Sequence, residues 1–154
     1  MILVTGGTGL LGSHLLLELV RAEKEVVALK RPSSDLEEVK RVFAYYCDGE
    51  EDVARLFDRI RWVDVDLLNQ ADLEEVLQGE GESVEQVYHC AAMLSFQPRD
   101  RRKMIRFNTD SSACLVNACM AAGVKKLVHV SSTSAIGRSS EGLPASEDII
   151  WSRT

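Results

Sequence analysis

Short apolar runs alternate along this chain with longer stretches in which apolar residues recur every three or four positions. The first run covers residues 2–4, and a helical pattern with one apolar side follows over residues 13–22. Further runs predict four more strands, at residues 26–29, 61–68, 84–92 (with the strand exit) and 126–130. Strands that alternate with helices in this way predict an α/β fold built on a parallel sheet.

Helical patterns fill the intervals between the later strands. They lie at residues 35–43, 53–60, 73–77 and 98–122. Asp72 is the predicted cap of the third of these helices, and Gly123 ends the fourth. We expect one doubly wound domain over residues 1–154 with the strand order 3-2-1-4-5, because the order reverses at the first strand–helix turn.

A glycine-rich turn joins the first strand to the first helix. It reads Val-Thr-Gly-Gly-Thr-Gly-Leu-Leu-Gly over residues 4–12. Gly6 allows a sharp turn, Gly9 leaves room for a pyrophosphate near backbone N–H groups, and Gly12 allows close packing of helix and strand. Because helix N-termini bind anions, this context predicts a dinucleotide site; the alternative is a tight turn without a ligand. The predicted contacts are Gly6, Thr8, Gly9, Leu10, Leu11 and Gly12.

The T-G-x-x-G-x-x-G spacing of this turn resembles the glycine motif of the extended branch of the short-chain dehydrogenase/reductase superfamily. That branch holds NAD(P)-dependent sugar epimerases, dehydratases, and reductases such as dihydroflavonol reductase. The resemblance implies a Rossmann fold with the cofactor across the carboxyl ends of the strands. It also implies an oxidoreductase or a sugar epimerase/dehydratase that acts on a small-molecule substrate.

The end of the second strand bears on the choice of cofactor. An acidic residue there would accept a hydrogen bond from the ribose 2′-hydroxyl of NAD, whereas an arginine would pair with the 2′-phosphate of NADP. Lys30 and Arg31 stand there without an acid, so we expect NADP rather than NAD, with Arg31 as the phosphate-binding residue. The alternative is a solvated basic turn.

The resemblance extends to the ends of the third and fourth strands. Asp66 and Leu67 match the positions that contact adenine in the family, with Val65 in place of the family's glycine; Asp66 as a helix cap is the alternative. The run Tyr-His-Cys-Ala-Ala at residues 88–92 is similar to the family segment that lines the cofactor. The contacts implied there are Cys90, Ala91 and Ala92, and the alternative is a strand end with small side chains.

The resemblance also implies residues for the chemical step. Asn108 stands in a segment similar to the family's Asn-x-x-Gly-Thr, with Ser111 in place of the glycine. An asparagine inside a helix is unfavourable by propensity, which favours a structural or site role for it.

A serine-rich loop follows the fifth strand. Ser131, Ser132, Thr133 and Gly137 resemble the family's Ser-Ser-x-x-x-x-Gly segment. The resemblance implies that Ser132 holds the reacting hydroxyl or carbonyl, with Thr133 as a fallback, and that Ser131 contacts the cofactor. A plain serine-rich loop is the alternative.

The family's general acid/base is a Tyr-x-x-x-Lys motif, and this sequence does not contain one. Tyr45, Tyr46 and Tyr88 are followed four residues later by Gly, Glu and Ala. Since the resemblance covers only about the first half of a family member, we expect the N-terminal part of an oxidoreductase or epimerase, inactive alone and weak in cofactor binding. The alternatives are a complete, non-catalytic dinucleotide-binding module such as a sensor and, more distantly, a methyltransferase or flavin protein.

Composition and charge narrow the partners and the location. The net charge of −6 argues against nucleic acid as a main partner. Without an apolar run that could span a membrane and without a signal peptide, a cytoplasmic location is expected. The four cysteines lack a Cys-x-x-Cys pair and a His at metal spacing, so we expect reduced thiols and no metal site.

Family resemblance further implies a homodimer through the helix at residues 99–122.

Overall fold

The computed structural model describes residues 1–79 and 83–136, together with the single positions 144, 146, 148 and 149. The strands are β1 (Ile2–Thr5), β2 (Val26–Lys30), β3 (Ile60–Asp64), β4 (Gln86–His89) and β5 (Lys126–His129). The helices are α1 (Leu10–Arg21), α2 (Glu37–Tyr46), α3 (Glu50–Phe57), α4 (Gln70–Gln78) and α5 (Arg101–Ala121). Short 3₁₀ helices cover Pro98–Asp100 and Thr133–Ala135. No helix in this part of the chain has both the length and the apolar character that a membrane span requires.

The five strands form one parallel sheet in the order β3-β2-β1-β4-β5, which confirms the predicted topology. Strand β1 pairs with β2 on one side and with β4 on the other. The crossover that follows β1 therefore runs toward β2, whereas the crossover that follows β4 runs in the opposite direction, toward β5. In open α/β sheets such a reversal creates a crevice at the carboxyl ends of the strands, which is where ligands bind.

Helices cover both faces of the sheet, and this explains why the central strands β1 and β2 are apolar up to their last residue. Leu3 packs into the layer that contains Leu73 of α4 and Leu115 of α5. Its neighbour Val4 points the other way, into the layer that contains α1, α2 and α3, where Phe43 is fully buried. Because neighbouring residues of a strand face opposite sides, strands β1 to β4 contribute to both layers of the core.

Several predicted boundaries differ from the structure. Helix α1 begins at Leu10, three residues earlier than predicted, because the glycine turn runs directly into the helix. Ile60 was predicted to end a helix but is the first residue of β3, where it pairs with Val26 of β2. Strand β3 ends at Asp64, and residues 65–69 form the connection to α4.

The cap of α4 is Asn69, so the prediction of Asp72 was wrong. The Asn69 side-chain oxygen accepts hydrogen bonds from the backbone N–H groups of Ala71, at 3.1 Å, and Asp72, at 3.4 Å. Asp72 lies within the first turn of the helix. The helix therefore starts one turn before the apolar pattern that indicated it.

Candidate functional site

The last residues of the five strands form a row along one edge of the sheet. Lys30 is the register partner of Asp64, and Thr5 is the partner of His89, which in turn pairs with His129. Every residue predicted from the sequence to contact cofactor or substrate follows one of these strand ends, except Asn108 on α5. The fold thus gathers segments far apart in the chain at a single edge.

The turn after β1 has the geometry that Gly6 was predicted to allow. Its φ is +70°, a region that favours glycine. A Cβ at Gly6 would also lie 2.6 Å from the backbone nitrogen of Ala91, because the chain leaving β4 passes directly beside the turn. Glycine is therefore required both by the local conformation and by the approach of the β4 exit.

Gly12 is required for a reason that differs in part from the prediction. A Cβ there would lie 2.1 Å from the carbonyl oxygen of Gly6 and 2.9 Å from the Cα of Gly7. The close approach is thus between helix α1 and the turn itself, rather than between the helix and the strand. The turn folds back over the first turn of the helix.

The N-terminus of α1 is open to an anion. Its N-cap is Gly9, which has no side chain to accept from the first backbone N–H groups, and the first helical hydrogen bond joins Ser13 N–H to the Gly9 carbonyl at 2.9 Å. Leu10 and Leu11 are 80% and 54% exposed, and Thr8 is half-buried. The N–H groups of residues 10–12 and the positive end of the helix dipole together suit a pyrophosphate.

The two basic residues at the end of β2, Lys30 and Arg31, have different surroundings. Lys30 forms an ion pair with Asp64 at the neighbouring end of β3. Arg31 is exposed and makes no ion pair within the described residues, while its backbone N–H donates to the Ser34 hydroxyl at 3.2 Å. An acid that is distant in sequence thus stands beside the predicted cofactor-selecting position.

The predicted adenine contacts follow β3. The Asp66 carboxylate is exposed and accepts from the Leu68 backbone N–H at 3.0 Å, within the turn that precedes α4. Leu67 is half-buried against the core, and Val65, which replaces the family's glycine, is buried. Since Asn69 caps α4, Asp66 is not the cap of that helix.

A buried hydrogen-bond chain lies beneath the exit of β4. The Thr5 hydroxyl accepts from the backbone N–H of Ala91 at 3.3 Å and is hydrogen-bonded to Nδ1 of His89 at 2.7 Å. Nε2 of His89 is hydrogen-bonded in turn to the Ser112 hydroxyl at 3.1 Å. Burial, with a smaller contribution from His129, lowers the pKa of His89 to about 4, so its ring is neutral near pH 7.

This chain of contacts was not identified from the sequence. The polar Thr5 at the end of an otherwise apolar strand was the available signal. Its partner is 84 residues away, so the pairing required the strand register.

The segment after β4 is held from α5. The backbone N–H of Met93 donates to Oδ1 of Asn108 at 2.7 Å, and Nδ2 of Asn108 donates to the Met93 carbonyl at 3.0 Å. This contact accounts for the asparagine inside a helix and makes it a positioning residue for the segment. A part in catalysis for Asn108 stays a prediction.

The segment that Asn108 holds begins with small side chains. Cys90 and Ala91 are half-buried, and Ala92 is exposed. Burial raises the pKa of the Cys90 thiol, so it lines the edge as a neutral, weakly polar group.

The serine-rich loop leaves β5 at the far end of the same edge. Ser131, Ser132 and Thr133 are exposed, and the Ser132 carbonyl accepts from the Ala135 N–H at 2.9 Å in the short 3₁₀ helix. Gly137 lies outside the described residues. Within the residues described, no cluster of three or more His, Cys, Asp or Glu side chains is arranged to hold a metal ion.

The chain is similar to known proteins over nearly its whole length. The model of the NAD dependent epimerase/dehydratase family matches residues 2–152. The chain is 31% identical over 140 residues to sterol demethylase protein B of Methylococcus capsulatus, an alignment that covers 91% of this chain and 37% of that protein. It is also 31% identical over 156 residues to UDP-glucose 4-epimerase of Dictyostelium discoideum, covering 99% of this chain and 42% of that protein.

A solved structure shares the fold. UDP-glucose-4-epimerase from Stenotrophomonas maltophila, with bound NAD and formylated UDP-arabinopyranose, matches with a TM-score of 0.74 and 26% identity. The match covers 96% of this chain and 41% of the epimerase chain. The present chain thus spans about two fifths of the length of these relatives.

Proposed function

This chain belongs to the NAD dependent epimerase/dehydratase family, and we propose that it is the cofactor-binding portion of an oxidoreductase or a sugar epimerase/dehydratase. The observation that carries the proposal is the turn between β1 and α1. A Cβ at Gly6 or Gly12 would meet backbone atoms at 2.6 Å or 2.1 Å, while the N-terminus of α1 is left uncapped by side chains. The close packing at Gly6 and Gly12 fixes the path of the turn, and the uncapped N–H groups of α1 support an anion site beside it.

The row of strand ends supports a position for each part of a dinucleotide. The pyrophosphate would bind the N–H groups at Gly9, Leu10 and Leu11. The adenosine would extend toward β2 and β3, near Arg31, Asp66 and Leu67. The nicotinamide would extend toward β4 and β5, along Cys90, Ala91 and Ala92.

Substrate would meet the cofactor at the β5 end of the row. When bound, the cofactor supplies hydride exchange at its nicotinamide ring. The exposed Ser132 hydroxyl would hold the reacting alcohol or carbonyl by a hydrogen bond, with Ser131 against the cofactor and Thr133 as the fallback. No Tyr-x-x-x-Lys motif is present to move the proton, so the 154-residue chain is proposed to bind cofactor without turnover.

The cofactor is proposed to be NADP rather than NAD. Arg31 supports this choice, since its exposed guanidinium follows the strand that faces the adenosine ribose. NAD would be the cofactor if Arg31 is simply solvated.

The substitution Gly9→Asp tests the anion site with two readouts that should move independently. Aspartate is a favoured N-cap residue, and the φ of Gly9, −87°, suits any residue, so the thermal midpoint should stay the same or rise. The added carboxylate would face the pyrophosphate, so NADPH affinity should fall by roughly 30-fold or more. Calorimetric titration and thermal unfolding give the two readouts.

Gly9→Asn is the matched control, because it keeps the cap and the size of the side chain without the charge. We expect it to weaken NADPH binding by only about 3- to 10-fold. Equal affinity for NADPH in the Gly9→Asp variant and the parent chain would contradict a pyrophosphate site at this helix.

A non-catalytic dinucleotide-binding module is the second candidate. The intact mass of the native gene product separates the two candidates. A product near 17.1 kDa would support the binding module. A product more than twice as heavy, containing a Tyr-x-x-x-Lys helix, would support the enzyme.

Self-association through α5 is proposed for the same protein. Ile105, Val116 and Met120 are 53%, 41% and 76% exposed. Their spacing of eleven and four residues places them in one stripe along the helix. The stripe suits a second copy of this chain.

A further inference from the structure

An ion pair lies at the ends of β2 and β3, where the adenosine is proposed to bind. Nζ of Lys30 lies 2.5 Å from Oδ1 of Asp64, and the two residues are register partners on β2 and β3. The Lys30 side chain is only 16% exposed, whereas that of Asp64 is 52% exposed. The lysine is thus held along the sheet edge by an acid that faces solvent.

This pair stands on the same side of the sheet as the glycine turn. Ala28 and Trp62 are the residues two positions before Lys30 and Asp64 on their strands. A Cβ built on Gly7 would lie 3.4 Å from the Ala28 Cβ and 3.5 Å from the Trp62 ring. Since alternate residues of a strand share a face, Lys30 and Asp64 continue this contact toward the strand ends.

We propose that Asp64 is a specificity-determining residue, which limits the preference for NADP over NAD by holding Lys30 and neutralising its charge. The inference rests on the proposed cofactor site and goes beyond it. With Asp64 in place, Arg31, which makes no ion pair within the described residues, supplies the positive charge near the adenosine ribose. Without Asp64, Lys30 would be a second cation available to the 2′-phosphate.

The physical basis is charge compensation at short range. An ammonium paired with a carboxylate presents little net charge to a third group, and turning the lysine toward a phosphate would require breaking the pair. NAD carries a hydroxyl at the position of the 2′-phosphate, so its affinity depends little on the pair. The pair is partly exposed and contributes little to folding, so variants at Asp64 should fold.

The experiment measures dissociation constants of the 154-residue chain for NADP⁺ and NAD⁺ by calorimetric titration, at low and high NaCl. Asp64→Asn should tighten NADP⁺ binding by about 3- to 10-fold and change NAD⁺ binding less than about twofold. In a Lys30→Met background the same substitution should change NADP⁺ binding at most about twofold, because the lysine it releases is absent. The gain should shrink at high salt.

Glu85→Gln is the matched control. Glu85 pairs with Lys125 at the opposite edge of the sheet, so this change removes the same charge and also breaks an ion pair. It should leave the ratio of NADP⁺ to NAD⁺ affinity unchanged.

The outcomes separate the inference from the proposed function. If the parent chain binds neither dinucleotide, the proposed function fails and the inference fails with it. If both dinucleotides bind but Asp64→Asn leaves their ratio unchanged, or shifts it no more than Glu85→Gln does, only the inference is overturned. A shift confined to Asp64→Asn that also needs Lys30 supports it.

Discussion

His89 is the residue on which the candidate site imposes the largest electrostatic change. Its neutral ring links Thr5 of β1 to Ser112 of α5, directly beneath the segment that Ala91 begins. Burial and the neighbouring His129 lower its pKa to about 4 from an ordinary value of 6.5. The unfolded chain therefore binds a proton more readily than the folded chain between these two values.

The sign of this shift gives a pH prediction. The stability that comes from neutral His89 is complete above about pH 6.5 and declines as the pH falls toward 4. Between pH 7 and pH 5, the free energy of unfolding of the parent chain should fall by about 1–2 kcal/mol more than that of a His89→Gln variant. Urea unfolding at the two pH values measures this difference. The same pH dependence in both chains would show that His89 is not protonated preferentially on unfolding.

Some contacts of single residues could be predicted from the sequence, and others could not. The glycine turn could be predicted because its residues are consecutive, and the φ of Gly6 agrees with the predicted role. The partners of Lys30 and His89 could not, since Asp64 is 34 residues away from Lys30 and Thr5 is 84 away from His89. A local pattern contains no information about which strand ends become neighbours.

At the level of elements, α5 and the exit of β4 are joined through one side chain. Asn108 both donates to and accepts from the backbone of Met93. Because both bonds go to the backbone, this side chain fixes the path of the segment whose small residues are proposed to line the cofactor. The helix thus acts on the candidate site through the shape of a loop.

Removing this link should loosen the loop. Asn108→Ala would leave a part-buried N–H and carbonyl without their partner, so the free energy of unfolding should fall by about 1–2 kcal/mol. Hydrogen exchange at residues 90–97 should accelerate, and NADPH binding should weaken. Asn117→Ala, on the exposed side of the same helix, is the control and should change stability by no more than about 0.5 kcal/mol. Equal effects of the two substitutions would show that Asn108 does not position the segment after β4.

The order and type of the elements could be predicted from periodicity, but their ends could not. Ile60 follows Leu56 and Phe57 at helical spacing, yet pairing with Val26 in the sheet places it in β3. Helix α1 includes Gly12, a residue of poor helix propensity, in its first turn, because the turn onto which Gly12 packs sets the start of the helix. In both cases tertiary contacts override the local preference.

At the scale of the whole molecule, the two faces of the sheet differ in what they expose. The α5 side presents the stripe of Ile105, Val116 and Met120, whereas the α2 side presents Tyr45 and the less exposed Tyr46. An apolar stripe along a helix can pair with its own copy about a two-fold axis, so that each chain supplies the same surface to the other. This geometry is the basis of the proposed dimer.

Charging the stripe should therefore separate the copies. The double substitution Val116→Lys and Met120→Lys would place two like charges from each chain at the two-fold contact, and we expect the dimer to dissociate in light scattering coupled to gel filtration. Tyr45→Lys removes an exposed apolar side chain from the opposite face, so it controls for a general gain in solubility. It should leave the molar mass as in the parent chain.

If the parent chain is monomeric at every concentration, or if Tyr45→Lys lowers the mass equally, α5 is not the interface. The exposed stripe would then be a surface of another kind, while the cofactor cradle at the carboxyl edge of the sheet would be unaffected, because none of its residues belongs to the stripe.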